Sequence, residues 1–438
     1  MNSRAAAEKI FMAGVRSVLP GKLVTDVLKV EGNILSAGGR KIALESVNDI
    51  YVIGAGKASA AMGHYVENIL GDHVSGGHIA VKYGHSCKLR RIHVTEAGHP
   101  IPDINGFNAT GEILKIAERA TWSDLVICLI SGGGSALMAD LPAGLIPEEL
   151  YIVNNLLVRS GADINQINCV RKHLSKVKGG QLARIIHPAS LITIIISDVV
   201  GNPLEVISSG PTVPDPSTFS EALKVIEDYN LAPELTSGVM NYLKDGASGI
   251  HPETPKPGDP VFEKTFNILA GTNQIALRAS KEEATSMGYN AYIIDDSVKG
   301  DVANVCESIL NMAFTFRDNP DVPKPFCLLF GGETTIKVHG DGMGGRNQHL
   351  ALVAAMKLEN NPGITFLSAG TDGTDGPTDA AGAVSDSDTL PDGRSLELDP
   401  VSFISEFDSY HFFKKAGGLI QTGPTFTNVM DLIVVLVE

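Results

Sequence analysis

The stretch DIYVIGAGKASAAMGHYVENIL, residues 49–70, carries the fold in miniature. A mostly apolar run from Asp49 to Ile53 reads as a strand, Gly54 and Gly56 allow a tight turn, and apolar side chains at helical spacing continue from about Lys57 to Leu70. That is one βα unit. Working outward, strands are expected at 77–83, 91–96 and 124–130, with helices near 104–120, 147–159, 164–174 and 178–186, and a wholly apolar strand, SLITIIIS, at 190–197. Apolar strands alternating with helices indicate a mostly parallel sheet covered on both faces. After the Pro- and Gly-rich residues 246–260 the alternation resumes, with strands at 265–270, 290–295, 363–369 and 428–438 and helices at 273–287 and 301–315. A chain of 438 residues exceeds one ordinary core, so the expectation is an α/β domain over 1–245, a linker over 246–260 and a smaller α/β domain over 261–438, with a cleft between them.

Charge narrows the partners. With 35 Lys+Arg against 50 Asp+Glu the formal net charge is −15, which argues against nucleic acid or an anionic membrane as partner. The five cysteines show no CxxC pair or zinc-site spacing and read as reduced core residues. The amino-terminal segment is amphipathic and mixes acid with base, unlike a signal peptide, and no apolar run is long enough to span a bilayer. A cytoplasmic address follows, and a homodimer stays open.

In α/β sheets, ligands bind where loops leave the carboxyl ends of strands. After the first strand, GAGKAS sets Gly54, Gly56 and Lys57 at a helix start; it meets neither the Walker pattern nor GxGxxG, yet suits a phosphate or carboxylate oxygen. A tight turn with a solvated lysine is the plainer alternative. EAGHPIPD offers Glu96, His99 and Asp103. SGGGSAL places Ser131, Gly132, Gly133, Gly134 and Ser135 in a second amide-lined cradle, and with no activating base it reads as a binding loop rather than a nucleophile elbow. The run NCVRKHLSKVKGGQLA concentrates Arg171, Lys172, His173, Lys176 and Lys178 in an acidic chain, either as an anion site or as a solvated face. Asp198, directly after SLITIIIS, is placed to hold a metal or accept a hydroxyl proton, or else to cap a loop.

The densest chemistry lies in KPFCLLFGGETTIKVHGDGMGGRNQHL, residues 324–350. A buried strand from Phe326 to Phe330 leads into Gly331, Gly332 and Glu333; a second short strand over 334–338 leads to glycines at 340, 342, 344 and 345, and Arg346 opens a helix. Glycines in such number suit close approach of a ligand to main chain, and the helix amides with a guanidinium describe an anion site that includes Gly332, Gly344 and Gly345. In SAGTDGTDGPTDAAGAV the acids Asp372, Asp375 and Asp379 lack the EF-hand pattern; magnesium shared with nucleotide phosphates is the better reading, with Glu333, Asp372 and Asp375 as candidate ligands, and turn-forming aspartates are the plainer alternative.

Taken in order, VIGAGKASAAM, EAGHPIPD, LISGGGSAL, VRKHLSKVKGGQLA, ISDVVGNPLEVISSGPTVPD, GGETTIKVHGDGMGGRNQHLAL and SAGTDGTDGPTDAAGAV resemble the class II glycerate kinases, whose carboxyl-terminal part is called the MOFRL domain. The resemblance implies a Rossmann-like first domain, a smaller α/β second domain, and phosphoryl transfer from ATP with Mg²⁺ to the 2-hydroxyl of D-glycerate. It also implies that the family's active-site lysine, aspartate and arginine fall on Lys57, Asp198 and Arg346. Phosphoryl transfer asks a protein for amide cradles, cations and a carboxylate-held metal, and each of those parts is present in the residues themselves. Two rivals remain: an NAD(P)H-dependent hydroxypyruvate reductase, for which the fingerprint is incomplete and Asp72 is the nearest ribose ligand, and a sugar-phosphate sensor that binds without turnover.

Overall fold

The structure is a computed structural model that describes residues 2–438. The chain forms two compact units, Pro20–Ala270 and a second that joins the residues up to Leu19 to Gly271–Glu438. These limits differ from the expected domains at both ends. The helix Ser3–Ser17 has one apolar face, Ala6, Ala7, Ile10, Phe11, Gly14 and Val15, which it buries against the helix Asn273–Ser286. The Ser280 hydroxyl donates to Ile10 O at 3.0 Å, and Thr427 donates to Val18 O at 2.6 Å. Residues 246–260 do not form a free linker: Glu253 accepts from Phe219 N at 2.9 Å, Thr254 donates to Asp215 at 2.9 Å and Asp215 N donates to Pro255 O, so the segment is strapped to its own unit.

The Pro20–Ala270 unit opens with an antiparallel meander, β1 (Leu28–Glu31), β2 (Ile34–Ala37) and β3 (Arg40–Ala43). Its main sheet contains β4 (Ile50–Ala55), β5 (Val74–Lys82), β6 (Ile92–Ala97), β7 (Leu125–Ile130), β8 (Ser190–Ile196) and β9 (Thr265–Gly271), in the order β6-β5-β4-β7-β8-β9. Neighbours from β6 to β8 pair in parallel. This is the doubly wound Rossmann order. Every side chain of β7 is buried because helices cover both faces; Ile113, Ile116 and Ala117 of the helix Ile104–Arg119 pack with Ile53, Val126, Cys128 and Ile195. Each such aliphatic side chain contributes about 1.5–3 kcal/mol on burial. A separate helical cluster, built around Leu157, Val170, Phe219, Ile226 and Leu243, joins the helices Pro147–Arg159, Ile164–His173, Phe219–Asp228 and Ser237–Ala247.

The second unit holds β10 (Asn290–Asp301), β11 (Phe326–Thr335), β12 (Ile364–Gly370), β13 (Gly382–Ser385), β14 (Leu419–Ile420) and β15 (Asp431–Val437), in the order β10-β11-β15-β12-β13-β14. β10 and β11 are parallel, whereas β15 inserts antiparallel to both β11 and β12, so this sheet is mixed. Ile433, Val435 and Val437 of β15 point toward Leu310, Leu350 and Ala354 of two covering helices, while the alternate Leu432 lies beside Gly14 of the amino-terminal helix. β11 is one ten-residue strand that runs through Gly331 and Gly332, rather than two short strands parted by a turn. Of the cysteines, four are buried and Cys87 is exposed; all are free.

Candidate active site

Strand order places the site. The chain leaves β4 toward β5 and β6 on one side and then crosses to β7, β8 and β9 on the other, so the reversal falls between β4 and β7, where this class of sheet opens a crevice beyond the strand ends. Ala55 pairs with Ile130 across that junction, and Ile130 with Ile195 of β8. GAGKAS, SGGGS and Asp198 therefore leave three adjacent strands at the same edge.

The two glycine loops are in direct contact. Lys57 N donates to Gly132 O at 2.9 Å, Ala58 N to Ser131 Oγ at 3.0 Å and Ser59 Oγ to Leu129 O at 3.0 Å. Gly56, at φ +142°, has no room for a side chain: a Cβ would sit 2.1 Å from Ser131 Oγ. This alters the expected role of Gly54 and Gly56. The amides of residues 56–59 are satisfied inside the protein, so these glycines permit the loops to touch rather than presenting amides to a phosphate. The second loop keeps that capacity, since the amides of Gly132, Gly133 and Ser135 meet no protein acceptor among the described residues.

Against this second loop lies a cavity of about 480 Å³. His99 forms part of its wall, and its ring packs so closely on Gly133, which has φ +85°, that a Cβ there would meet it at 2.8 Å. Burial, followed by the nearby charge of Lys57, lowers the His99 pKa to about 4, so the ring is neutral. Ser208 and Ser209 reach the loop from the segment after β8, donating to Ser131 O and pairing with Ser135 Oγ. Both adopt positive φ, 50° and 60°, a conformation that costs non-glycine residues on the order of 1–3 kcal/mol each and clusters at functional sites. Glu96 and Asp103 have local tasks: Glu96 accepts from Gly84 N, and Asp103 caps the helix Ile104–Arg119.

The basic run divides by burial. Lys172 pairs with Asp215, both buried, at 3.2 Å. Lys178 is buried beside Asp140 and donates to Met138 O, its pKa lowered by burial against the pull of Asp140. Lys176 is exposed and absent from the cavity wall, contrary to its expected binding role. Arg171 does line the cavity; its Nε donates to Asn154 Oδ1 at 2.7 Å, it has no carboxylate partner among the described residues, and burial lowers its pKa.

In the second unit, Arg346 is anchored rather than open. Its Nε and Nη2 donate to the two oxygens of Asp431 at 2.6 and 3.0 Å, and Nη1 lies 2.7 Å from Glu333 Oε1. Burial alone would depress the guanidinium, but the hydrogen bonds and charge of Asp431 hold it above its usual value. Two amides in the first turn of the helix Arg346–Leu358 are already taken: Asn347 N and Gln348 N donate to the Asp375 carboxylate at 3.1 and 2.8 Å. Asp375 is thus a buried helix cap, not an open metal ligand, and burial raises its pKa to about 7. Gly332, Gly344 and Gly345 leave room for Val298, Ser409 and Asp375, each of which a Cβ would meet within 2.3 Å; close packing explains these glycines in place of phosphate contact. Asp372 Oδ1 accepts from Thr374 N, and Asp379 from the Tyr410 hydroxyl. Asp431, which sequence reasoning passed over, begins an otherwise apolar strand, and a lone acid there demands a buried partner.

Comparison with known proteins adds relatives. A family model described as Domain of unknown function (DUF4147) matches residues 6–244, and the MOFRL family model matches residues 326–431. The chain is 38% identical to a glycerate 2-kinase of Pyrococcus horikoshii, covering 100% of this chain and 98% of the relative. A D-glycerate 2-kinase of Thermotoga maritima is 39% identical, with 98% of this chain and 97% of the relative covered. The crystal structure of a glycerate kinase from Thermotoga maritima superposes with a TM-score of 0.88 at 36% identity over 99% of each chain.

Proposed function

The chain belongs to the glycerate 2-kinase family, with a MOFRL segment over residues 326–431, and from that premise we propose that it moves the terminal phosphoryl group of ATP to the 2-hydroxyl of D-glycerate. The observation that carries this reading is the pair of joined loops at the switch point, with open amides on one and Lys57 on the other. Phosphoryl transfer needs positioning and charge neutralisation more than covalent help. The amides of Gly132, Gly133 and Ser135 hold phosphate oxygens. Lys57 neutralises the transferring group, and Asp198 orients the acceptor hydroxyl and takes its proton. In the second unit, Arg346, held by Asp431, is the candidate cation.

Magnesium fits these acids as an ion shared with ATP. Among the described residues no group of three His, Cys, Asp or Glu side chains is set to hold a metal, and magnesium bound with nucleotide phosphates requires only one or two carboxylates. Asp372 and Glu333 would supply them, while Asp375 is occupied as a cap. When bound, the ion neutralises phosphate charge. A reductase fits less well: the strand end that would carry the ribose acid, after β5, holds Lys82 and Tyr83, and Asp72 precedes that strand in an ion pair with Arg91 at 2.7 Å.

The test is an assay with D-glycerate, ATP and Mg²⁺, phosphorus NMR identifying the product isomer. Formation of 2-phosphoglycerate supports the reading. NADH oxidation with hydroxypyruvate and no ADP release from D-glycerate would replace it with the reductase.

A further inference from the structure

The 480 Å³ cavity is built for more than a three-carbon acid. Pockets for drug-sized ligands occupy about 300–1,000 Å³, so this one falls in their range, far above what glycerate fills. Its walls include Pro100, Ile101, Leu150 and Val158, and Ile101 and Val158 remain 72% and 64% exposed. Glycerate carries an oxygen on every carbon and has no apolar face to cover them. A flat base does. The same cavity contains Arg171, a half-buried guanidinium without a carboxylate partner among the described residues, and is bordered by the loop in which the Gly132, Gly133 and Ser135 amides meet no acceptor among those residues. Apolar walls ending at Arg171 and open amides, with Lys178 on the same wall already paired to Asp140, match a ligand that is apolar at one end and polyanionic at the other.

We propose that this cavity is the nucleoside pocket, taking the base and ribose of ATP among Ile101, Leu150 and Val158, with phosphates directed to Arg171 and the Gly132–Ser135 amides. The inference rests on the kinase reading for the choice of ATP, and it assigns the nucleotide to the Pro20–Ala270 unit. Asn155, on the cavity wall with an exposed side chain, provides a carboxamide for the edge of the base. Asn154 is engaged with Arg171 and positions it.

The experiment titrates the full chain with Mg·ADP and separately with adenosine by calorimetry, and measures KM for ATP and for D-glycerate. Val158→Trp and Ile101→Trp fill the mouth from exposed positions and are compatible with folding, which thermal melting checks. Each should weaken ADP and adenosine by about tenfold or more, and raise KM for ATP alike, with KM for D-glycerate unchanged within about twofold. Arg171→Ala should weaken ADP by about tenfold or more and leave adenosine nearly unaffected, because only the phosphates are lost as partners. A rise in KM for D-glycerate with ADP binding intact would make the cavity the acceptor site and overturn the proposal. So would folded tryptophan variants with normal constants for both. If the wild type binds ADP and adenosine with this pattern yet fails to phosphorylate D-glycerate, the kinase reading falls and the nucleoside pocket stands.

Discussion

Replacing Arg346 by methionine separates the structural role of this residue from its chemical one. Asp431, the acid it grips with both arms of its fork, is 5% exposed, while the Arg346 side chain is 32% exposed. Removing one member of a buried pair leaves an uncompensated charge and costs about 3–5 kcal/mol; the partial exposure of Arg346 favours the lower end, about 3 kcal/mol. Asp375 adds to the penalty, since Arg346 holds its pKa down while Asp431 pushes it up. For a unit of this size each kcal/mol moves the melting midpoint by roughly 2–4 °C, so the transition should fall by roughly 6 °C or more. The deficit should widen as pH rises above about 7, because without Arg346 the buried Asp375 releases its proton still later in the folded state. Adding Asp431→Asn should restore a large part of the loss, since a neutral pair no longer strands a charge. Differential scanning calorimetry at pH 6 and pH 8 reads all three effects. A fall of less than about 2 °C in the single variant, or a double variant no more stable than the single, would refute the reasoning.

Other expectations follow from the same geometry. Lys57→Ala, folded as judged by melting, should lose roughly a hundredfold or more in kcat, the effect of removing one charge aimed at the transferring group; near-normal turnover in the ATP and D-glycerate assay would remove Lys57 from the machinery. Gly56→Ala should separate the two loops, because its Cβ would clash with Ser131 Oγ at 2.1 Å, and soluble yield or kinase activity should collapse together. Asp375→Asn tests the raised pKa. A carboxyl that titrates near 7 when folded and near 3.8 when unfolded contributes stability that is lost as pH rises between those values, by roughly 1.4 kcal/mol per unit. The variant lacks this slope, so its urea midpoint should gain on the wild type between pH 5 and pH 7; parallel profiles would contradict the assignment.

The residues alone determined the α/β class, the strands and helices of the first unit to within a few positions, and the loops at its strand ends. Period and polarity are local properties: the β-branched, strongly apolar SLITIIIS reads as a covered strand, and three glycines after an apolar run read as a turn. Tertiary structure decided what each loop does. GAGKAS and SGGGS read as two separate cradles, and only the sheet order brings them together and satisfies the amides of the first on the second. The helix over 3–17 shows an apolar face in sequence but not its partner, which lies some 270 residues away at Ser280. Glycines 332, 344 and 345 look alike whether they receive a phosphate or a neighbouring protein group, and the difference rests on the Val298 backbone and the Ser409 and Asp375 side chains arriving from elsewhere in the chain. Burial likewise sorted Lys172, Lys176 and Lys178, which adjoin in sequence but face a buried acid, solvent and a cavity. A sequence states which groups are present and how often they recur; whether an amide or a charge is open to a ligand depends on what the rest of the chain has already placed beside it.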